Sequence, residues 1–118
     1  MTTPSLDDFH AFRTRMNDLI TGRSNLTINR FFALDSRAYD AGAIGVKNKE
    51  MLGLVASLVL RCDDCITYHV VRCVEEGATD EELFEVFAVG LVVGGSIVIP
   101  HLRRAVARLE GIRDAGRR

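Results

Sequence analysis

EMLGLVASLVLRCDDCITYH, the stretch from Glu50 to His69, decides how the rest of the chain is interpreted. Cys62, Cys65 and His69 follow one another at spacings of three and four residues. If a helix begins at Cys62 and continues to about Glu76, all three side chains lie on one face and the thiols are one turn apart. Such a Cys-x-x-Cys pair can close a small disulfide ring, and the N-terminus of a helix favours the thiolate. The pattern therefore indicates a redox-active dithiol, with His69 as a general base that acts on Cys65.

Glu50 lies on the preceding helix, and helix geometry can return it to the same site. If the helices on either side of Arg61 are antiparallel and joined by a tight turn, Glu50 lies level with about His69 to Cys73. A carboxylate that faces His69 would hold the imidazole in one tautomer and increase its basicity. We therefore predict a relay that runs from Glu50 through His69 to Cys65.

Four residues together form a pattern that resembles the signature of the alkylhydroperoxidase D-like proteins, within the carboxymuconolactone decarboxylase superfamily: Glu50, eleven residues, Cys62, two residues, Cys65, three residues and His69. The resemblance extends from about Phe31 to the Gly94-Gly95 pair. It implies an all-α fold, a single-domain bundle of about five or six helices, and a homo-oligomer that is a trimer or a hexamer.

The same resemblance implies a role for each residue of the pattern. Cys65 would be the peroxidatic cysteine and Cys62 the resolving one. His69 would be the base and Glu50 its orienting partner. Better-studied members often have a histidine directly before the second cysteine, and this sequence has Asp64 there.

Our first functional hypothesis is therefore a thiol-dependent peroxidase or disulfide oxidoreductase with peroxiredoxin-type activity. It would reduce hydrogen peroxide or organic hydroperoxides in a small apolar pocket between the third and fourth helices, and an external dithiol would regenerate it. One alternative is a lyase of the carboxymuconolactone decarboxylase type, which needs no redox cycle. Another is a non-enzymatic oligomer whose thiols only sense redox state.

Zinc binding is a further interpretation of the cysteines, and helix geometry argues against it. Cys65 and Cys73 would be two turns apart on one helix, roughly 12 Å, whereas the ligands of one zinc ion each lie about 2.0–2.3 Å from it. We expect no metal and no other cofactor, and we interpret Cys73 as a small core residue.

Composition limits the possible partners and the location. The net charge is −1 at pH 7 and the sequence pI is about 6.3, so no attraction to nucleic acid or to a membrane surface is expected. The N-terminal sequence has no basic region followed by an apolar run, and the three cysteines are an odd number. We therefore expect a cytoplasmic protein with a reversible dithiol.

Capping residues and the spacing of apolar side chains predict one domain, with N-terminal helices at 5–40, a core with the site at 46–95 and a C-terminal helix at 96–113. The phenylalanines near Phe31 are predicted to be core residues. Phe87 to Pro100 contains no charged residue but is shorter than the roughly 20 residues that cross a bilayer. We expect this stretch to be buried on all sides, with another subunit covering part of it, and Gly94-Gly95 to break its helix.

Overall fold

The computed structural model describes residues 5–117, in which all regular structure is helical. This part of the chain contains one short 3₁₀-helix, Ser96–Val98, and six α-helices: α1 Leu6–Gly22, α2 Leu26–Ala38, α3 Val46–Leu60, α4 Asp63–Glu75, α5 Asp80–Gly94 and α6 Ile99–Gly116. The predicted all-α fold with five or six helices is confirmed. The chain divides into two compact units, with the boundary between Asp40 and Ala41.

The first unit contains α1 and α2. Side chains at the helix starts accept backbone hydrogen bonds, Ser5 from Asp8 N–H and Asn25 from Ile28 N–H, as expected of N-cap residues. Neither helix has a buried residue, and the side chain of Phe31 is 65% exposed. The prediction that the phenylalanines near Phe31 form core is therefore wrong for this chain, because two short helices cannot enclose a ring between them.

The second unit contains α3 to α6 around one apolar core. Helix α3 packs against both α4 and α5, and α6 packs against α4. The buried apolar side chains come from every helix of the unit: Leu54, Leu58, Ile66, Val70, Cys73, Ala78, Leu83, Phe87, Val98, Ala105 and Leu109. Because α3 contacts two other helices, more than one side of it is covered.

The turn between α3 and α4 fixes the register of the site. Arg61 adopts the left-handed conformation, with φ 60°. Its N–H donates to Leu58 O at 3.0 Å, and the Cys62 N–H donates to Ser57 O at 3.1 Å. This pattern ends a helix within two residues. The predicted tight turn is therefore present, and α4 begins directly after it.

Helix α5 is capped at its start, and its end follows the prediction. Thr79 and Glu82 form a reciprocal capping box at the start. The helix ends at Gly94, where a Cβ atom would lie 2.5 Å from Val98 Cγ2, and Gly95 has φ +85°. Both glycines are needed here, one for a close contact and the other for its backbone conformation.

Within a single chain, the uncharged stretch from Phe87 to Pro100 is buried in part, and the expectation that another subunit covers the rest stays a prediction. Phe87 and Val98 are in the core, but Val92 is 87% exposed and Val93 is 67% exposed. One helix can turn only one face toward its own core, so the opposite face of α5 remains at the surface. Among residues 5–117, no helix is long and apolar enough to cross a membrane.

Candidate functional site

Cys62 and Cys65 lie at the start of α4 and are joined by a disulfide, with their Cα atoms 5.3 Å apart. Cys62 is the N-cap residue, and its Sγ accepts a hydrogen bond from the Cys65 N–H at 3.3 Å. Cys65 is exposed and Cys62 is partly buried. The predicted pairing is present, and Cys65 is the more accessible residue of the two.

Glu50 and His69 form a buried pair between α3 and α4. Glu50 is 1% exposed and His69 is 8% exposed, and Glu50 Oε2 lies 2.8 Å from His69 Nδ1. Because a carboxylate only accepts hydrogen bonds, Nδ1 carries the proton in this contact and Nε2 is the nitrogen able to accept another. The contact predicted from the antiparallel register of the two helices is therefore present.

His69 follows Cys65 by four residues on the same helix, so the two residues are neighbours on successive turns of α4. The disulfide and the pair of Glu50 and His69 thus occupy adjoining turns of one helix. The exposed residue Cys65 lies at the helix start, and the buried carboxylate of Glu50 contacts His69 on the next turn. The four residues of the predicted site are brought together at the contact between α3 and α4.

Arg72 also lies beside Glu50, and it was not predicted from the sequence. Its Nε is 3.7 Å from Glu50 Oε1, and its terminal nitrogens donate to Glu75 Oε1 at 3.3 Å and to Glu76 Oε2 at 3.2 Å. Burial alone would lower the pKa of the Arg72 guanidinium, but the hydrogen bond to Glu75 and the charge of Glu50 outweigh this and raise the pKa. The available signal was its position three residues after His69, on the same side of α4.

A second polar cluster lies at the start of α4, directly after Cys62. Asp63 Oδ1 is 2.8 Å from His101 Nδ1, and Asp63 Oδ2 accepts from Arg104 Nε at 3.0 Å. Burial by itself raises the pKa of the Asp63 carboxyl, but the hydrogen bonds from His101 and Arg104 outweigh it and hold the pKa below its usual value. His101 thus helps to join α6 to the helix of the disulfide.

Cys73 is fully buried in the core and is not part of a disulfide. Burial, with a smaller contribution from the charge of Glu50, raises the pKa of its thiol to about 12. The interpretation of Cys73 as a small core residue is confirmed. No group of three or more His, Cys, Asp and Glu side chains within residues 5–117 is arranged to hold a metal ion.

An apolar cavity of about 430 Å³ lies between α3 and α5, lined by Ile44, Asn48, Met51, Leu52, Val55, Val86 and Val89. None of these residues belongs to α4, so the cavity is not the pocket expected between the third and fourth helices. Ile66 and Val70 of α4 are packed in the core of the unit.

The chain belongs to the carboxymuconolactone decarboxylase family, whose model matches residues 27–108. This match covers the disulfide, the buried pair and all of α3 to α5. The all-helical fold and the residue pattern described above are consistent with the alkylhydroperoxidase D-like proteins of this superfamily.

Three similar proteins extend the comparison. A family member from Thermotoga maritima is 58% identical; one of its crystal structures has a TM-score of 0.90, covering 92% of this chain and 96% of that chain. A role in an antioxidative response has been suggested for that protein. A family member from Legionella pneumophila is 29% identical, with a TM-score of 0.65 over 86% of this chain and 83% of its own. The uncharacterized protein 4 in the cox locus of Paracoccus denitrificans is 29% identical over 96 residues, which cover 80% of this chain and 86% of the relative.

The different environments of the three cysteines predict different reactivities. After reduction, an alkylating reagent at pH 7 should modify Cys65 and Cys62 in the folded protein, and mild peroxide should join the same two residues. Cys73 should remain unmodified, because a thiol with a pKa of about 12 is almost wholly protonated at pH 7 and only the thiolate reacts. Peptide mapping by mass spectrometry measures both outcomes.

Alkylation in denaturant, where all three thiols should react, provides the control. Modification of Cys73 in the folded protein at the rate of Cys65, or its presence in the main disulfide, would contradict the assignment.

Proposed function

We propose that this protein is a thiol-dependent peroxidase that reduces hydrogen peroxide or organic hydroperoxides through Cys65 and Cys62. The observation that carries the proposal is the position of the disulfide, which lies one helical turn from the buried pair of Glu50 and His69. A disulfide alone could be structural. An accessible sulfur beside an oriented base supports nucleophilic chemistry.

In the first step, His69 Nε2 takes the proton of the reduced Cys65 thiol. The thiolate attacks one peroxide oxygen and the O–O bond breaks, so that the sulfur loses two electrons and becomes a sulfenic acid. The leaving oxygen takes the proton from His69 and departs as water or as an alcohol. His69 therefore acts first as a base and then as an acid, and it ends the step unchanged.

In the second step, the Cys62 sulfur attacks the sulfenic sulfur of Cys65. An S–S bond forms, the S–O bond breaks, and the hydroxyl leaves as water with the proton of the Cys62 thiol. An external dithiol then reduces the disulfide by thiol–disulfide exchange and is itself oxidised to a disulfide. The exposure of Cys65 supports this assignment, because both the peroxide and the dithiol must reach a sulfur at the surface.

Glu50 acts on the base and makes no contact with peroxide in this proposal. Its carboxylate accepts a hydrogen bond from His69 Nδ1–H at 2.8 Å, which selects the tautomer with its basic nitrogen at Nε2. The suggested antioxidative role of the Thermotoga maritima relative, 58% identical to this chain, agrees with peroxide reduction. A reversible dithiol also suits a reducing compartment, and we propose a cytoplasmic location.

We further propose that the protein is a homo-oligomer, a trimer or a hexamer. Val92, Val93 and Ile97 are 87%, 67% and 57% exposed and lie in a stretch without a charged residue. Exposed apolar side chains grouped in this way are typical of surfaces that bind another protein. A second copy of the chain provides an equally uncharged surface for them.

Substitution of the four site residues tests the peroxidase proposal. Cys65→Ser should abolish the reaction with peroxide, and Cys62→Ser should permit one attack and leave a trapped sulfenic acid on Cys65. Glu50→Gln and His69→Gln should each slow the reaction by about 10²–10⁴-fold, which is typical of lost acid–base assistance. Stopped-flow measurement of thiol oxidation gives the rates, and mass spectrometry identifies the product.

Cys73→Ser is the matched control for the cysteine variants and should keep the wild-type rate. Helical circular dichroism should verify that every variant is folded. Unchanged rates in both Glu50→Gln and His69→Gln would remove the relay from the mechanism, and a wild-type protein that consumes no peroxide with a dithiol present would overturn the proposed function.

Light scattering tests the proposed assembly. The wild-type protein should have the mass of three or six chains at micromolar concentration. Val92→Glu should shift it toward smaller species, because a charge buried in an apolar interface without a partner is unfavourable. Ala107→Glu, at an exposed position of α6 outside the uncharged stretch, is the control and should keep the wild-type mass. A stable wild-type monomer would contradict the proposal.

A further inference from the structure

The Glu50 carboxylate carries a buried negative charge that its contact with a neutral His69 does not balance. Its side chain is 1% exposed, and a buried carboxylate stays ionised only when charges or hydrogen bonds compensate the loss of water. His69 must be neutral to act as a base, so it can offer a hydrogen bond but no positive charge. One hydrogen bond from a neutral imidazole compensates only part of this loss, and a nearby cation would compensate more of it.

Arg72 is placed to provide that charge. Each nitrogen of its guanidinium faces a different carboxylate: Nε lies 3.7 Å from Glu50, Nη1 lies 3.3 Å from Glu75 and Nη2 lies 3.2 Å from Glu76. Glu75 and Glu76, at the end of α4, thus hold the two terminal nitrogens of the planar guanidinium, and its Nε faces the buried carboxylate of Glu50. The two oxygens of Glu50 have separate partners, Oε2 with His69 and Oε1 with Arg72.

Other charged and titratable groups near Glu50 and Arg72 come from α3, α4 and α5. Cys73 of α4 lies within the electrostatic influence of Glu50, Arg72 and Glu82. Glu82 of α5 is itself paired with Lys47 of α3, at 2.9 Å. The charge of Lys47 is therefore directed to Glu82, whereas the charge of Arg72 is directed to Glu50.

We propose that Arg72 is a positioning residue that holds Glu50 ionised, keeping the proton off the pair of Glu50 and His69 so that His69 remains a base at neutral pH. Without the guanidinium, the buried pair would take up a proton at a higher pH, either on Glu50 or on His69. Neither form has the function proposed above. A protonated Glu50 does not accept the hydrogen bond from His69 Nδ1–H as the carboxylate does, and a protonated His69 has no basic nitrogen. The inference rests on the proposed function, because it assumes that His69 is the base.

Histidine side-chain NMR across a pH series tests the inference without peroxide chemistry, using the oxidised protein. In Arg72→Met, the midpoint of the His69 titration should move to higher pH by about one unit or more, as expected when an opposite charge beside a carboxylate is removed. Arg72→Lys should restore most of the wild-type midpoint. His69→Gln identifies the resonance among those of the three histidines.

Arg113→Met is the matched control. Arg113 is 29% exposed and pairs with Asp80 at 2.9 Å, and Arg72 is 28% exposed, so the two substitutions remove similar arginines from different places. The control should leave the His69 midpoint unchanged. In a Glu50→Gln background, Arg72→Met should produce a much smaller shift, because the carboxylate that it stabilises is gone.

The pH dependence of the peroxide reaction should change in the same variants as the His69 midpoint. The rise in rate with pH should occur at a higher pH in Arg72→Met, and near the wild-type pH in Arg72→Lys and Arg113→Met. An unchanged His69 midpoint in Arg72→Met would overturn the inference, even if peroxide turnover were intact. Absence of peroxide turnover in the wild-type protein would overturn the proposed function, while a shifted midpoint would still place Arg72 in control of the buried pair. If Arg72→Met does not fold, Arg72→Gln replaces it. Equal His69 midpoints in the wild-type protein and in Arg72→Gln would then overturn the inference.

Discussion

The burial of the Glu50 carboxylate is the constraint on which the site depends. A charged group with 1% of its surface exposed must have partners of fixed geometry, because an unpaired buried charge is far more unfavourable than any single apolar contact is favourable. Those partners, His69 and Arg72, both lie on α4. Any shift of α4 along α3 would separate the carboxylate from both of them, so the pairing helps to fix the register of the two helices as well as the tautomer of the imidazole.

The same register connects the buried pair to the surface. Arg61 ends α3 in a left-handed conformation and Cys62 caps α4 directly after it, so that the thiols lie at the first turn of α4 while His69 and Arg72 lie further along. At the other side of Cys62, Asp63 joins α4 to α6 through His101 and Arg104. The start of α4 is thus held from two directions, which suits a helix end whose disulfide is made and broken in each proposed reaction cycle.

The features that the sequence predicted well are those set by local spacing. The positions of Cys62, Cys65 and His69 on one helix follow from the helical period, and the break at Gly94-Gly95 follows from the residue type. The contact between Glu50 and His69 required only a tight turn in addition. Arg72 was missed because its role depends on how a long side chain bends back toward a carboxylate on another helix. The exposure of the phenylalanines near Phe31 was also missed, because apolar composition shows that a surface avoids water and does not show whether the same chain covers it.

The central claim is that Glu50 and His69 act as one unit on Cys65. A double-variant cycle on the rate of Cys65 oxidation tests it most directly, with Glu50→Gln, His69→Gln and the combination compared by stopped flow under identical conditions. If the carboxylate acts only through the imidazole, the combined variant should be little slower than the slower single variant, because residues that act as a unit have non-additive effects. Losses that multiply, so that the combined variant is slower by the product of the two single effects, would show that the two residues act independently and would contradict the account.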